Sequence, residues 1–181
     1  MERLISGGGF SQVYEAEFGK EKRVVKVIHH RISEAAWVRE RFAQEIAALH
    51  LVKHRAVVPV LDSWVEATGE PCFAMPLIEG RTLRSELRGK AWDGEPAAAL
   101  MEELGAALAA VHQAGVVHRD VKPENVLLRG DGSPLLIDFG TSGLLGSDEP
   151  QAMTRVLAGS WEYLAPERLT GVYSAASDVY G

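Results

Sequence analysis

The spacing of apolar and polar positions predicts a strand-rich first part of the chain and a helix-rich second part. Short β-type runs, separated by glycine-rich or charged turns, continue up to Ile28, as in a small antiparallel sheet. Apolar residues at helical spacing fill residues 33–53, with Ser33 as the N-cap. Strand-like runs return at 57–65 and 72–77, and helical patterns dominate from there on. The pattern therefore predicts an α+β chain of two lobes joined by one extended crossing.

Composition and charge narrow the class of protein. The chain has 181 residues, of which 46% are hydrophobic, and can bury a substantial core. Its net charge of -6 argues against a broad nucleic-acid surface, and the single cysteine, Cys72, excludes a disulfide within the chain. Charged residues interrupt the most apolar stretch, 100–117, and the N-terminus lacks a secretory signal. We therefore expect a cytoplasmic protein with no membrane segment and no nucleic-acid partner.

A buried ion pair is predicted in the first lobe. Strand alternation places Lys26 on the same face as Val24 and Ile28, so its charge lies among apolar neighbours and needs an anionic partner. Glu45 falls on the inward stripe of the following helix and is the natural partner. These two residues alone fit a structural salt bridge as well as a functional one.

Two polar segments interrupt the second lobe. Residues 117–125, VHRDVKPEN, bring ionisable groups and an amide between an apolar helix and the predicted strand 126–128. Residues 135–140, LLIDFG, end an apolar strand with the carboxylate of Asp138. A carboxylate is a hard oxygen ligand of the kind that Mg²⁺ prefers. The second segment therefore predicts a magnesium ligand at a strand end.

In this order and spacing, the segments resemble the signature set of protein kinases: a strand lysine, a helix glutamate, His-Arg-Asp followed by Lys and Asn, Asp-Phe-Gly, and Ala-Pro-Glu at 165–167. The resemblance covers nearly the whole chain. It implies the bilobal protein-kinase fold, with an N-lobe of antiparallel sheet plus one helix at 1–75. A hinge at 76–80 and a mainly helical, incomplete C-lobe at 81–181 would complete the chain.

The resemblance implies a role for each ionisable residue. Asp120 would accept the proton of the substrate hydroxyl, and Lys122 would steady the transferring phosphoryl group. Lys26, paired with Glu45, would bind the phosphates of ATP. The Mg²⁺ ligands would be Asn125 and Asp138.

The resemblance also implies a set of ATP contacts. Residues 6–14, SGGGFSQVY, would cover the phosphates, although serines stand where the first and third family glycines would be and only Gly8 matches in place. Met75 would be the gatekeeper residue. The backbones of Pro76 and Ile78 would face the adenine edge of ATP, where Pro76, which has no N–H, would offer only its carbonyl and Ile78 would supply the N–H donor. The predicted ATP contacts are Ser6, Gly7, Gly8, Gly9, Phe10, Ser11, Val13, Val24, Lys26, Met75, Pro76, Ile78 and Leu127.

Substrate and control follow from the same resemblance. Lys122, two residues after the catalytic aspartate, resembles the pattern of kinases that act on Ser or Thr in proteins. Residues 141–164 resemble an activation loop in which Thr154 would be a regulatory phosphorylation site and Arg119 would receive its phosphate. Glu124 resembles an acidic position that favours basic residues in some kinase substrates.

Three functions remain in view. The first is an ATP-dependent Ser/Thr protein kinase that transfers the γ-phosphoryl group to protein hydroxyls. The second is a truncated, non-catalytic nucleotide-binding or scaffold remnant, and the third is a small-molecule phosphotransferase, against which the Ala-Pro-Glu segment argues. The chain ends in residues that resemble the start of a long buried helix, in which Asp178 would brace the catalytic loop. We therefore expect the domain to continue further and to supply an arginine for Glu167, which would otherwise be uncovered.

Overall fold

The computed structural model describes residues 3–7, 11–29, 36–88, 92, 94–139 and 161–181. The chain forms two compact units. The first contains Met1–Leu51 and Pro59–Leu77, and the second contains Val52–Val58 and Ile78–Gly181. Several predicted residues lie outside the described residues: Gly8, Gly9, Phe10, Ser33 and Thr154. The assignment of a hinge to 76–80 stays a prediction.

The first unit is an antiparallel sheet of five strands with one helix. The sheet order is β1-β2-β3-β5-β4, and the helix α1 lies between β3 and β4 in the chain. Gly19 adopts a φ of 66° in the two-residue turn between β2 and β3, a conformation that glycine takes without a Cβ clash. The elements are β1 (Arg3–Gly7), β2 (Ser11–Phe18), β3 (Glu21–Ile28), α1 (Ala36–Leu51), β4 (Asp62–Val65) and β5 (Pro71–Pro76).

The apolar face of α1 packs against this sheet. Phe42, Ile46 and Leu49 recur at helical spacing and are buried, and the ring of Phe42 lies 5.9 Å from that of Phe73 on β5. A separate cluster of buried residues, with Val27 and Trp64 packed against it, contains Ala16, Val25, Cys72 and Ala74. Buried residues from the helix and three of the strands, with the partly buried Trp64 of β4, thus hold the first unit together.

The second unit is mainly helical, with a small antiparallel sheet in the order β6-β7-β8. Its longest helix, α3, buries Leu100, Ala107, Leu108 and Val111 along one stripe. Short 3₁₀ turns occur at Pro123–Asn125, Trp161–Tyr163 and Pro166–Thr170. The other elements are β6 (Arg81–Thr82), α2 (Leu83–Glu86), α3 (Gly94–Gln113), β7 (Val126–Leu128), β8 (Pro134–Leu136) and α4 (Ala175–Tyr180). None of the helices in the described part of the chain is both long enough and apolar enough to span a membrane.

The segment Val52–Val58 belongs to the second unit although both of its neighbours in the chain belong to the first. Val58 N–H donates to the Leu136 carbonyl at 3.0 Å, and Leu136 N–H donates to the Ala56 carbonyl at 2.8 Å. The prediction of one strand at 57–65 is therefore wrong in its first half. The backbone around Val57 bonds to β8 instead, Pro59 has no N–H, and β4 begins only at Asp62.

Candidate active site

The predicted catalytic segment, 117–125, is held by a carboxylate from α4. Asp178 is 2% exposed and accepts the backbone N–H groups of His118 and Arg119, each at 2.7 Å, on different carboxylate oxygens. His112, at the end of α3, donates its Nε2–H to the same carboxylate at 2.8 Å. Three donors satisfy a charge that would otherwise be costly to bury. Asp178 thus braces the segment, as the resemblance implied.

His118 connects this segment to the end of β8. Its ring is fully buried, and burial holds the pKa of the imidazole below its usual value. Nδ1 accepts the backbone N–H of Asp120 at 3.3 Å, so Nε2 carries the proton and donates to the Ile137 carbonyl at 3.0 Å. The ring also packs 4.6 Å from that of Phe139. A neutral imidazole with one defined tautomer therefore fixes the backbone on both sides of the candidate site.

The carboxylate of Asp120 is oriented by two neighbours. The amide nitrogen of Asn125 donates to the Asp120 carbonyl at 2.7 Å and to Oδ2 at 2.8 Å. Lys122 Nζ lies 2.7 Å from the same Oδ2. Oδ1 receives no hydrogen bond within the described part of the chain, and the side chain is about one-third exposed. One oxygen is thus held in place while the other can accept a proton.

Backbone strain occurs at two residues of this region. Arg119 and Asp138 have φ values of 69° and 60°, and no other non-glycine residue among those described has a positive φ. Each such conformation costs about 1–3 kcal/mol and persists only where the surroundings enforce it. The bond from Arg119 N–H to Asp178 is one such constraint. Strain of this kind clusters at functional sites, which supports a role for both segments.

Asn125 and Asp138 suit the predicted magnesium site. Both hydrogen bonds of the Asn125 side chain use its nitrogen, so its carbonyl oxygen remains as a ligand atom. The Asn125 backbone carbonyl accepts the N–H of Ile137 at 2.9 Å, which links this residue to the one before Asp138. The described residues contain no group of three or more His, Cys, Asp or Glu side chains able to hold a metal. One carboxylate and one amide oxygen suit Mg²⁺, which commonly completes its shell with water and phosphate oxygens.

The first unit places the predicted strand lysine as expected. Lys26 is 3% exposed on β3, where it pairs in register with Val13 and Phe73. Glu45 is half-buried on α1, and its pairing with Lys26 stays a prediction. The burial of a cation on a strand face confirms the interpretation made from alternation.

The remaining ATP-contact predictions fall on both units. In the first unit, Ser6 and Gly7 end β1, Ser11 and Val13 lie on β2, and Val24 pairs in register with Met75, one residue before Pro76. Gly7 pairs in register with Gln12 across β1 and β2. In the second unit, Ile78 and Leu127 are half-buried. Their roles as ATP contacts stay predictions.

Gly80, the last residue of the predicted hinge, has a steric role that the sequence did not indicate. A Cβ there would lie 2.5 Å from the Leu128 carbonyl oxygen and 2.9 Å from Cγ of Leu127. No side chain fits that space, because a backbone atom cannot move aside as a flexible side chain can. Gly80 therefore lets the chain pass directly over β7.

Glu167, for which the sequence analysis expected an arginine further along the domain, accepts a hydrogen bond from a serine, and the arginine stays a prediction. Ser177 Oγ donates to Glu167 Oε1 at 2.6 Å, and this hydrogen bond is the main cause that lowers the pKa of the Glu167 carboxyl. Ser177 also forms a reciprocal capping box with Ser174 at the start of α4. The Ser-x-x-Ser spacing was a signal for the cap, but nothing in it indicated the bond to Glu167.

Comparison with known protein families and curated proteins agrees with this geometry. The model of the protein kinase domain matches residues 1–181. The chain is 36% identical over 188 aligned residues to the serine/threonine-protein kinase pkn2 of Myxococcus xanthus, across 98% of this chain and 22% of that protein. It is 37% identical over 173 residues to the serine/threonine-protein kinase PknD of Mycobacterium tuberculosis, across 93% and 26% respectively. The chain thus spans about a quarter of the length of these relatives.

Solved structures are similar over much of the chain. The kinase domain of Mycobacterium tuberculosis PknI has a TM-score of 0.64 at 27% identity, across 77% of this chain and 58% of that one. Rad53 in complex with AMP-PNP has a TM-score of 0.76 at 23% identity, across 99% and 44% respectively. The second similarity, at that identity, shows the fold alone.

Proposed function

The chain belongs to the protein kinase domain family, and from that premise we propose that it transfers the γ-phosphoryl group of ATP to Ser or Thr hydroxyls of proteins. The predicted α+β kinase fold is confirmed by the family match and by the solved structures. The activity, the acceptor and the nucleotide are the proposal. We include a cytoplasmic location of the protein in this proposal, because ATP would be the phosphoryl donor.

The arrangement around Asp120 is the observation that supports this function. Asn125 and Lys122 engage Oδ2, and Oδ1 has no hydrogen-bond donor among the described residues. A carboxylate with one oxygen held and the other available can orient an acceptor hydroxyl and take its proton. Because the Asp178 carboxylate and the His118 ring hold the backbone of this segment, the geometry is set before substrate arrives.

The proposed reaction is a direct transfer without a covalent enzyme intermediate. The acceptor oxygen forms a bond to the γ-phosphorus as the bond to the β–γ bridging oxygen breaks, and ADP leaves. The hydroxyl proton passes to Asp120, and the Lys122 ammonium stabilises the negative charge on the transferred group. The protein therefore contributes positioning and charge rather than a nucleophile of its own.

The remaining residues of the proposal bind the nucleotide and its metal. Asn125 and Asp138 would hold Mg²⁺, which neutralises phosphate charge when bound. Lys26 would bind the α- and β-phosphates, and Glu45 would hold its ammonium in place. Contacts to the rest of ATP are proposed for Ser6, Gly7, Gly8, Gly9, Phe10, Ser11, Val13, Val24, Met75, Pro76, Ile78 and Leu127.

The decisive experiment measures phosphate incorporation from ATP, with Mg²⁺ and a generic basic protein substrate, in wild type and Asp120→Asn. We expect the variant to lose nearly all incorporation while its circular dichroism spectrum is unchanged. Equal incorporation in both proteins would contradict the role of Asp120. Folded wild-type protein that binds ATP without incorporation would instead support the non-catalytic alternative.

Regulation at Thr154 is part of the proposal and can be read from the same reaction. We expect autophosphorylation on the peptide that carries Thr154, with Arg119 receiving the phosphate. Mass spectrometry of the wild-type product locates the phosphate. A Thr154→Ala variant that is as active as wild type, together with an unphosphorylated wild-type peptide, would remove this part of the proposal.

A further inference from the structure

Three side chains from separate segments meet beside the catalytic segment. Arg84 on α2 places Nε 3.3 Å from Oε1 of Glu124, and its Nη1 donates to the hydroxyl of Tyr163 at 3.4 Å. Glu124 lies in the 3₁₀ turn Pro123–Asn125, and Tyr163 ends the turn Trp161–Tyr163. We call these three residues the Arg84 cluster. It joins α2 to the turn that carries Asn125.

The Arg84 cluster leaves little of the Glu124 carboxylate for another cation. Oε1 is engaged by Arg84, while Oε2 is shielded from solvent and has no hydrogen-bond partner in the described part of the chain. The side chain as a whole is 38% exposed and that of Arg84 is 47% exposed. A cation arriving from solvent would therefore find Oε1 already paired with the guanidinium.

The position of Glu124 makes this neutralisation relevant to substrate choice. Glu124 immediately precedes Asn125, whose side chain orients the carboxylate of Asp120. A peptide that presents its hydroxyl to Asp120 must pass over the neighbouring surface of this turn. Among the described residues of that surface, Lys122 pairs with Asp120 and Arg84 pairs with Glu124, and these two pairs together carry no net charge.

We propose that Arg84 neutralises Glu124 and thereby makes the enzyme indifferent to basic residues near the acceptor of its peptide substrate. The inference rests on the proposed kinase function and adds a substrate class to it. It reverses the expectation from the resemblance that Glu124 selects basic substrates, because a cation of the chain itself already occupies the carboxylate. Without Arg84 the carboxylate can pair with an arginine of the peptide.

The test compares peptides that differ only in arginine or alanine at one position two to four residues before the acceptor serine. The quantity is the ratio of kcat/KM for the arginine peptide to that for the alanine peptide. We expect a ratio within about twofold for wild type and for Arg84→Lys, which keeps the cation. For Arg84→Ala we expect a ratio of about fivefold, which corresponds to the upper range of the interaction free energy of a partly exposed charge pair.

The double variant Arg84→Ala/Glu124→Gln is the matched control, and its ratio should return to the wild-type value. The preference of Arg84→Ala should also weaken as salt is raised, because the new pair is exposed to solvent. A wild-type preference of about fivefold or more, or an unchanged ratio in Arg84→Ala, would overturn the inference while leaving the kinase function intact. If no peptide is phosphorylated by any of the proteins, the proposed function fails and the inference falls with it.

Discussion

At the scale of single residues, the buried ring of His118 holds the backbone of two segments at once. Its two ring nitrogens have opposite roles, one accepting from Asp120 and one donating to Ile137. If Nδ1 were also protonated, it could no longer accept the Asp120 N–H, and two hydrogen-bond donors would face each other. Protonation would therefore disturb the backbone of both segments that carry the proposed catalytic and metal residues.

The buried imidazole predicts a pH dependence of stability. Burial lowers the folded-state pKa of His118, so below about pH 6.5 the unfolded chain binds the proton first. The free energy of unfolding should fall as pH is lowered below about 6.5, by up to about 1.4 kcal/mol per pH unit from this group. Above about pH 6.5 the contribution of the neutral His118 ring to the free energy of unfolding is fully present.

Urea unfolding at several pH values, followed by circular dichroism, measures this slope. His118→Phe should be less stable overall, but its free energy of unfolding should change less steeply with pH below about pH 6.5. His50→Gln, which removes an exposed histidine from α1, is the control and should keep the wild-type slope. A slope unchanged in His118→Phe would show that other groups cause the pH dependence.

At the scale of elements, hydrophobic periodicity predicted the features that depend on residues close together in the sequence. The spacing of Phe42, Ile46 and Leu49 gave the buried face of α1, and strand alternation gave the burial of Lys26. These features were accessible because each depends on residues close together in the chain.

Contacts between distant segments could not be predicted in the same way. His112 reaches Asp178, Ser177 reaches Glu167, and Arg84 reaches Glu124, and none of these pairs has a periodic signal. The first half of the strand predicted at 57–65 was wrong for a related reason, because its first residues bond to β8 far along the chain. Only the identities of the kinase motif residues indicated which segments would meet.

Two glycines give opposite predictions for the same substitution. Gly80→Ala should lower the free energy of unfolding by about 1–3 kcal/mol, because the new Cβ would overlap the Leu128 carbonyl. Gly105→Ala in α3 should raise it by up to about 1 kcal/mol, because the site is open and alanine favours helix. Thermal or urea unfolding of both variants tests the pair. Equal stability of Gly80→Ala and wild type would show that the backbone there can move aside.

At the scale of the whole molecule, the proposed nucleotide and metal binding predicts a linked gain in stability. ATP with Mg²⁺ at about 100 times its dissociation constant should add about 2.7 kcal/mol to the free energy of unfolding. Asp138→Asn should lose the part of this gain that depends on Mg²⁺. Glu102→Gln, at an exposed position on α3, is the control and should retain it.

Thermal shift with ATP alone, Mg²⁺ alone and both together separates the two contributions. The expected result is a synergistic rise in Tm for wild type and a smaller, additive one for Asp138→Asn. A full synergistic rise in Asp138→Asn would assign the metal to other ligands. No rise under any condition would argue against nucleotide binding altogether.

The placement of Val52–Val58 in the second unit has a consequence for synthesis on the ribosome. The backbone groups of Ala56 and Val58 bond to Leu136, which is translated several seconds later at ordinary rates. Until then the apolar side chains of this segment, all buried in the finished fold, have no strand to pack against. The nascent chain therefore exposes a short apolar segment until β8 has been synthesised, and the duration of this exposure depends on the rate of translation.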